Sequence, residues 1–195
     1  ADGMVNGATT NYAEAVRPIL HTVGVAKNFV PAGLNILISD DKLLFLTDTT
    51  VNVNPSAVEL AQIAIQTAFV AEKFQQKPRI AMLSYSNFSG TDGTPNKMKQ
   101  AAELVRTMRP DLIVEGDMQA DTAVNADIQN NIFPFSTLKG EANVLVFPNL
   151  ESSNISYKLL QQLGKVEVVG PFLLGVRRAA NVLQRTTTEE TIFNT

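Results

Sequence analysis

The stretch PRIAMLSYSNFSG, residues 78–90, decides the fold class. Arg79–Ser84 is a short apolar run after Pro78, the length and character of a buried strand. From Ser84 to Asn96 the chain is rich in Ser, Gly, Thr, Asn and Asp, the composition of a loop. Upstream, Asn54-Pro55 reads as a helix start, with Asn54 capping and Pro55 at the first helical position, where its missing N–H costs nothing. The helix runs to about Phe74. Val58, Ala61, Ile65 and Ala68 form one stripe, with Leu60, Ala64 and Ala71 beside it, so the helix is largely buried. A buried helix feeding an uncharged strand that ends in a polar loop is the unit of a parallel sheet covered on both faces.

Outward from this unit the rhythm repeats. Lys97 to Met108 has helical spacing and stops before Pro110. Leu112–Glu115 is a brief strand, followed by a turn at Gly116 and a helix near Asp121–Gln129. Asn143–Phe147 is a strand closed by Pro148, Glu151–Leu163 a helix ended by Gly164, and Val166–Val169 a further strand. Pro171–Gln184 is ambiguous. Thr187-Thr188-Glu189-Glu190 fits a capping box. Toward the N-terminus, Asn11–Gly24 has helical spacing. Leu34–Ser39 and Lys42–Thr47, joined by Asp40-Asp41, read as a hairpin at the edge of the sheet. The expected architecture is a three-layer α/β/α unit with a mostly parallel sheet. In such sheets ligands sit beyond the carboxyl ends of the strands, which selects Ser84–Asn87, Glu115–Gln119 and Pro148–Asn154.

Composition narrows the function. With 16 Lys+Arg against 19 Asp+Glu the net charge is −3, which argues against nucleic acid or an anionic membrane as main partner. There is no cysteine, so no disulfide, thiolate nucleophile or zinc-finger spacing. His21 is the single histidine, which excludes a multi-histidine metal site. No apolar run approaches the roughly 18 residues of a membrane-spanning helix. The opening ADGMVNG reads like the interior of a domain, so a fragment of a longer polypeptide is expected. The helix from Pro55 to Phe74 has more apolar surface than a one-sided helix needs, so an assembly of two or more copies is expected.

By spacing alone the candidate site residues are modest. The Ser84–Gly90 loop can wrap backbone N–H groups around a phosphate, but no Gly-Lys-Ser/Thr closes it as a Walker motif, and it reads first as a surface loop. Glu115 and Asp117 flank Gly116 and are suited to Mg²⁺ or acid–base work, yet read first as solvated charge around a turn, with Asp121 as a helix cap. Arg17, Lys158, Arg177, Arg178 and Arg185 matter only if the fold gathers them; Arg is suited to phosphate because its planar donors hold two oxygens at once. His21 reads as a packed or capping residue. No Ser-x-x-Lys or G-x-S-x-G motif gives a serine an activating partner.

Seven ordered segments carry more. ADGMVNGA, AVRPIL, VNPSAVELAQIAI, PRIAMLSYSN, RPDLIVEGDMQADTA, ANVLVFPNLESSNISYKLLQQLG and GPFLLGVRR together resemble the phosphate acetyltransferase family, over almost all 195 residues. The resemblance implies an isocitrate/isopropylmalate dehydrogenase-like fold. It implies a central lobe over 21–170, with 1–20 and 171–195 as pieces of a second lobe whose N-terminal part is absent. The segments VEGDMQADTAVN, FPNLESSNISYKLLQQLG and GPFLLGVRRAANVLQRTTTEE are similar to the C-terminal domain of bacterial hybrid NADP-dependent malic enzymes.

In the acetyltransferases a Ser, the Arg after it and an Asp seven residues beyond that Ser serve acetyl transfer between CoA and phosphate. Here those positions hold Gln184, Arg185 and Thr191. Gln has no ionisable proton and Thr cannot replace a carboxylate electrostatically, so the resemblance implies binding without turnover. It places a CoA ester, acetyl-CoA as effector, against Arg17, Ser84, Ser86, Gln119, Asn154, Tyr157, Lys158 and Arg185. It further implies a cytoplasmic, oligomeric malic enzyme whose NADP and Mg²⁺ or Mn²⁺ sites lie outside these residues. The alternative is an active phosphate acetyltransferase.

Overall fold

The computed structural model of the chain describes residues 2–39, 42–164, 166–183 and 189. The expected turn at Asp40-Asp41, the cap positions Thr187, Thr188 and Glu190, and the family positions Gln184, Arg185 and Thr191 lie outside the described residues. In chain order the elements are β1 (Gly3–Gly7), α1 (Tyr12–Thr22), β2 (Ala32–Ser39), β3 (Lys42–Thr47), α2 (Ala57–Lys73), β4 (Arg79–Leu83), α3 (Gly93–Met108), β5 (Ile113–Met118), α4 (Ala120–Ala123), α5 (Ala126–Ile132), β6 (Val144–Val146), α6 (Leu150–Leu163), β7 (Glu167–Leu174) and β8 (Ala179–Leu183).

One eight-stranded sheet runs β1-β8-β7-β2-β3-β6-β4-β5. The pairs β1–β8, β3–β6, β6–β4 and β4–β5 are parallel; β8–β7, β7–β2 and β2–β3 are antiparallel. The architecture is thus the expected three-layer α/β/α with a mostly parallel sheet. The hairpin, however, lies in the middle. β2 pairs with β7 and β3 with β6, because both strands are apolar on both faces and only an interior position buries both.

Two cores sandwich the sheet. Leu34, Ile36, Phe45, Ile80, Met82, Val114, Val144 and Val146 pack against α2 and α3 on one face. The alternate residues Leu37, Leu46, Ala81, Leu83 and Leu145 pack with Ala123 and Tyr157 on the other. A third cluster joins α1, through Ala15, Val16 and Ile19, to Leu173 of β7 and Ala180 and Val182 of β8. Residues at both ends of the chain therefore extend the same sheet.

Several boundaries moved for local reasons. α2 starts two positions later than expected. Ser56, not Asn54, is its cap, because Ser56 and Glu59 form a reciprocal capping box that satisfies two donors. Asn54 instead accepts a hydrogen bond from Lys97 Nζ at 2.9 Å. β5 runs on through Gly116 to Met118 rather than turning there. Gly116 has φ +152°, and a Cβ on it would lie 2.6 Å from Met82 Cβ, so only glycine lets β5 lie this close to β4. β7 likewise continues past Val169 to Leu174, and the ambiguous stretch after it contains β8.

Candidate functional site

The carboxyl ends of the strands carry two clefts separated by α6. The first, about 280 Å³, is lined by Thr10, Asn11, Tyr12, Thr50, Leu150, Asn154, Tyr157 and Lys158. The second, about 340 Å³, is lined by Leu83, Ser84, Tyr85, Thr94, Ala120, Phe147, Pro148, Asn149 and Ser152. The helical period divides α6 between them. Leu150, Asn154, Tyr157 and Lys158 recur every three or four residues on one side, while Asn149 and Ser152 serve the other.

The first cleft rests on a buried carboxylate. Asp48 follows β3 and is 3% exposed. Its Oδ1 accepts hydrogen bonds from the N–H groups of Gly33 (2.7 Å), Thr50 (3.0 Å) and Val51 (3.1 Å). Its Oδ2 accepts from Asn52 N (2.6 Å) and Asn52 Nδ2 (2.5 Å). These bonds fix the turn that presents Thr50 to the cleft. Ser153 Oγ donates to the Asp48 carbonyl, and Asn154 Nδ2 donates to the Thr49 carbonyl at 3.4 Å, so the same turn seats α6. On the opposite wall Asn11 caps α1 by accepting from Glu14 N at 2.9 Å, which places Tyr12 at the first helical position. Burial pushes the Tyr12 phenol up to about 12, with Asp48 and Tyr157 acting in the same direction and Thr50 opposing it. Lys158 carries its ammonium 5.1 Å from the centre of the Tyr157 ring and is otherwise exposed at the mouth.

The second cleft is shaped by an interlocked pair of loops. Asn87 Nδ2 donates to Gln119 Oε1 (2.9 Å), Gln119 N donates to Asn87 Oδ1 (2.8 Å), and Gln119 Nε2 donates to the Tyr85 carbonyl (2.7 Å). Ser86 N donates to Ser84 Oγ (2.9 Å), and Ser86 Oγ lies 3.0 Å from Ser89 Oγ. Lys97 Nζ donates to the Pro148 carbonyl at 2.8 Å, and burial lowers its pKa. Thr94 in the first turn of α3 and Asn149 at the cap of α6 bring two helix N-termini to this cleft, a positive-potential surface.

The expected site residues are therefore distributed. Asn154, Tyr157 and Lys158 share the first cleft, and Ser84 lines the second. Ser86 and Gln119 spend their polar atoms on the loop that walls it. Arg17 is exposed on α1 and lines neither cleft. Thr10, Tyr12, Thr50 and Thr94 were not singled out from sequence, whereas Ser152 falls in the selected segment Pro148–Asn154. Asn11 carried a signal as the residue that opens a helix.

Glu115 and Asp117 depart from the expected solvated turn. They are 7% and 0% exposed, because the strand continues through Gly116 and carries both inside. Glu115 accepts from Thr137 N (2.8 Å) and Thr137 Oγ1 (2.5 Å) and pairs with Arg106 at 3.3 Å. Asp117 Oδ2 accepts from Gly90 N at 3.3 Å. Asp121 sits within the first turn of α4, whose cap is Gln119, and accepts from Thr122 N. No group of three or more metal-ligating side chains occurs among the described residues. His21 is exposed in the last turn of α1. Among the described residues no helix is long and apolar enough to cross a membrane.

A doubly covered α/β sheet with ligand-sized clefts at its strand ends defines the class. The family model for phosphate acetyl/butaryl transferase matches residues 1–195, and the chain belongs to that family. It is similar to a phosphotransacetylase of known structure from Streptococcus pyogenes, with a TM-score of 0.93 and 36% identity over 99% of this chain and 60% of that one. It is 37% identical over 202 residues to the phosphate acetyltransferase of Clostridium acetobutylicum, covering 99% of this chain and 61% of that protein. It is 40% identical over 186 residues to the NADP-dependent malic enzyme of Escherichia coli, covering 94% of this chain and 24% of that protein. The chain thus spans less than two thirds of the curated relatives it matches.

Proposed function

We propose that this chain is an acetyl-CoA-binding regulatory domain that does not transfer the acetyl group, and that it belongs to a malic enzyme converting malate to pyruvate with NADP. What carries the reading is the sequence Gln184, Arg185 and Thr191, which the resemblance matches to the Ser, Arg and Asp of acyl transfer in the acetyltransferases, with only the Arg kept. Lys158 and Arg185 would hold anionic groups of the CoA ester, with Arg17 as a third cation if the ligand or the rest of the protein brings it near. Ser84 and the helix N-termini beside it would receive a phosphate. The polar wall of Tyr12, Thr50 and Asn154 would contact the remainder of the ligand. Acetyl-CoA regulates in this scheme only by binding two states of the whole enzyme unequally.

A second reading, an active phosphate acetyltransferase, is favoured by one specific observation. The 37% identity to the clostridial acetyltransferase extends over nearly the whole chain, close to the 40% for the malic enzyme. A coupled assay separates the two. The first reading expects acetyl-CoA binding by calorimetry and no acetyl-phosphate formation; phosphate-dependent formation of acetyl phosphate would establish the second.

A further inference from the structure

A third cavity, about 300 Å³, lies on the α2 side of the sheet, opposite the α6 face. Its lining includes Phe29, Gln66, Phe69, Gly175 and Arg178, and none of its residues lines either strand-end cleft. Gln66 is 7% exposed, and both Oε1 and Nε2 are buried without a hydrogen-bond partner among the described residues. A buried carboxamide with neither group satisfied is costly to the fold, and native proteins rarely keep one idle. Among the described residues the surrounding wall does not supply a partner. Thr67, next on the helix, returns its hydroxyl to the Ile63 carbonyl, and Gly175, at φ +75° and packed against the Val30 carbonyl, has no side chain to offer Gln66.

The remaining lining has a consistent chemistry. Phe29 and Phe69 are half exposed, at 50% and 54%, and present aromatic surface to the cavity rim. Arg178 is exposed at the same rim. A carboxamide pairs bidentately with the N6/N7 edge of adenine, aromatic side chains stack on bases, and a guanidinium holds a phosphate.

We propose that this cavity is an adenine-nucleotide site separate from the strand-end clefts. The adenine edge satisfies Gln66, the ring lies against the phenylalanines, and the 5′-phosphate reaches Arg178. The occupant is a free adenosine monophosphate, and competition with acetyl-CoA tests whether the nucleotide part of a CoA ester takes this place instead.

The test is titration calorimetry of AMP and of adenosine into the whole protein that carries this chain, with and without saturating acetyl-CoA. AMP is expected to bind more tightly than adenosine, and acetyl-CoA is expected to leave the AMP affinity unchanged. Gln66→Met, which conserves volume, is expected to weaken both ligands at least tenfold. Arg178→Ala is expected to weaken AMP to the level of adenosine. If Gln66→Met does not fold, Phe69→Leu at the exposed rim serves instead, with the same expected loss of both ligands. Absence of AMP binding, or full AMP affinity in a folded Gln66→Met or Phe69→Leu protein, would overturn the site. Mutual exclusion of AMP and acetyl-CoA would overturn its separateness. A failure of acetyl-CoA to bind at all would count against the regulatory reading above and leave the AMP result to stand or fall alone.

Discussion

Replacing Asp48 by Asn tests whether one buried carboxylate organises the first cleft. The carboxylate accepts five hydrogen bonds from Gly33, Thr50, Val51 and Asn52, two of them on Oδ2. A carboxamide keeps one accepting oxygen, so its NH₂ must face either the two Asn52 donors or the three backbone N–H groups. In the milder orientation two charge-assisted bonds are lost, at about 1.5–3 kcal/mol each, and a non-additive total of about 3–5 kcal/mol is expected. For a chain of this size that is roughly 6–20 °C in Tm. Urea unfolding followed by circular dichroism should show a lower midpoint with an unchanged slope. Because the same turn presents Thr50 and seats Asn154, acetyl-CoA affinity should fall as well. A loss below about 1 kcal/mol at unchanged slope would refute the reasoning, since the bonds described could not then be holding the turn.

Three further outcomes are expected. Tyr12 should titrate near 12, about two units above an ordinary phenol. The unfolded chain loses this proton first, so stability is full below about pH 10 and falls by about 3 kcal/mol as pH rises through 12; ultraviolet titration should show a late phenol transition that Tyr12→Phe removes. Lys158→Ala should weaken acetyl-CoA roughly 10- to 100-fold in calorimetry, the worth of one charge-assisted bond, while leaving the thermal midpoint nearly unchanged because the ammonium is exposed. Ser56→Ala should cost about 1 kcal/mol in urea unfolding through loss of the α2 cap, with no effect on ligand affinity.

Much of the fold could be read from local pattern. The unit from Ser56 to Ser84 and the strands at β5 and β6 announce themselves by apolar runs closed by Pro or polar loops, because a parallel strand is buried on both faces. Strand order is another matter. The β2–β3 hairpin was placed at the edge because a hairpin can sit anywhere, and only pairing with β7 and β6 fixes it centrally. β8 was hidden because Arg177 and Arg178 interrupt its approach, and β1 because five residues with two glycines carry little signal. At the site, α6 was readable because Asn154, Tyr157 and Lys158 fall on one helical face. Tyr12 and Thr50 were not, because each reaches the cleft through a contact over 100 residues distant in sequence. Glu115 and Asp117 misled because a glycine between carboxylates resembles a turn, whereas close packing on Met82 makes it strand.

The central claim is binding without transfer. It is tested most directly by release of free CoA thiol from acetyl-CoA in the presence of phosphate. With the whole protein that carries this chain, the account predicts acetyl-CoA binding in calorimetry, no phosphate-dependent thiol release, and the appearance of release on the double substitution Gln184→Ser and Thr191→Asp. Rapid phosphate-dependent release by the unsubstituted protein, abolished by Arg185→Ala, would contradict it.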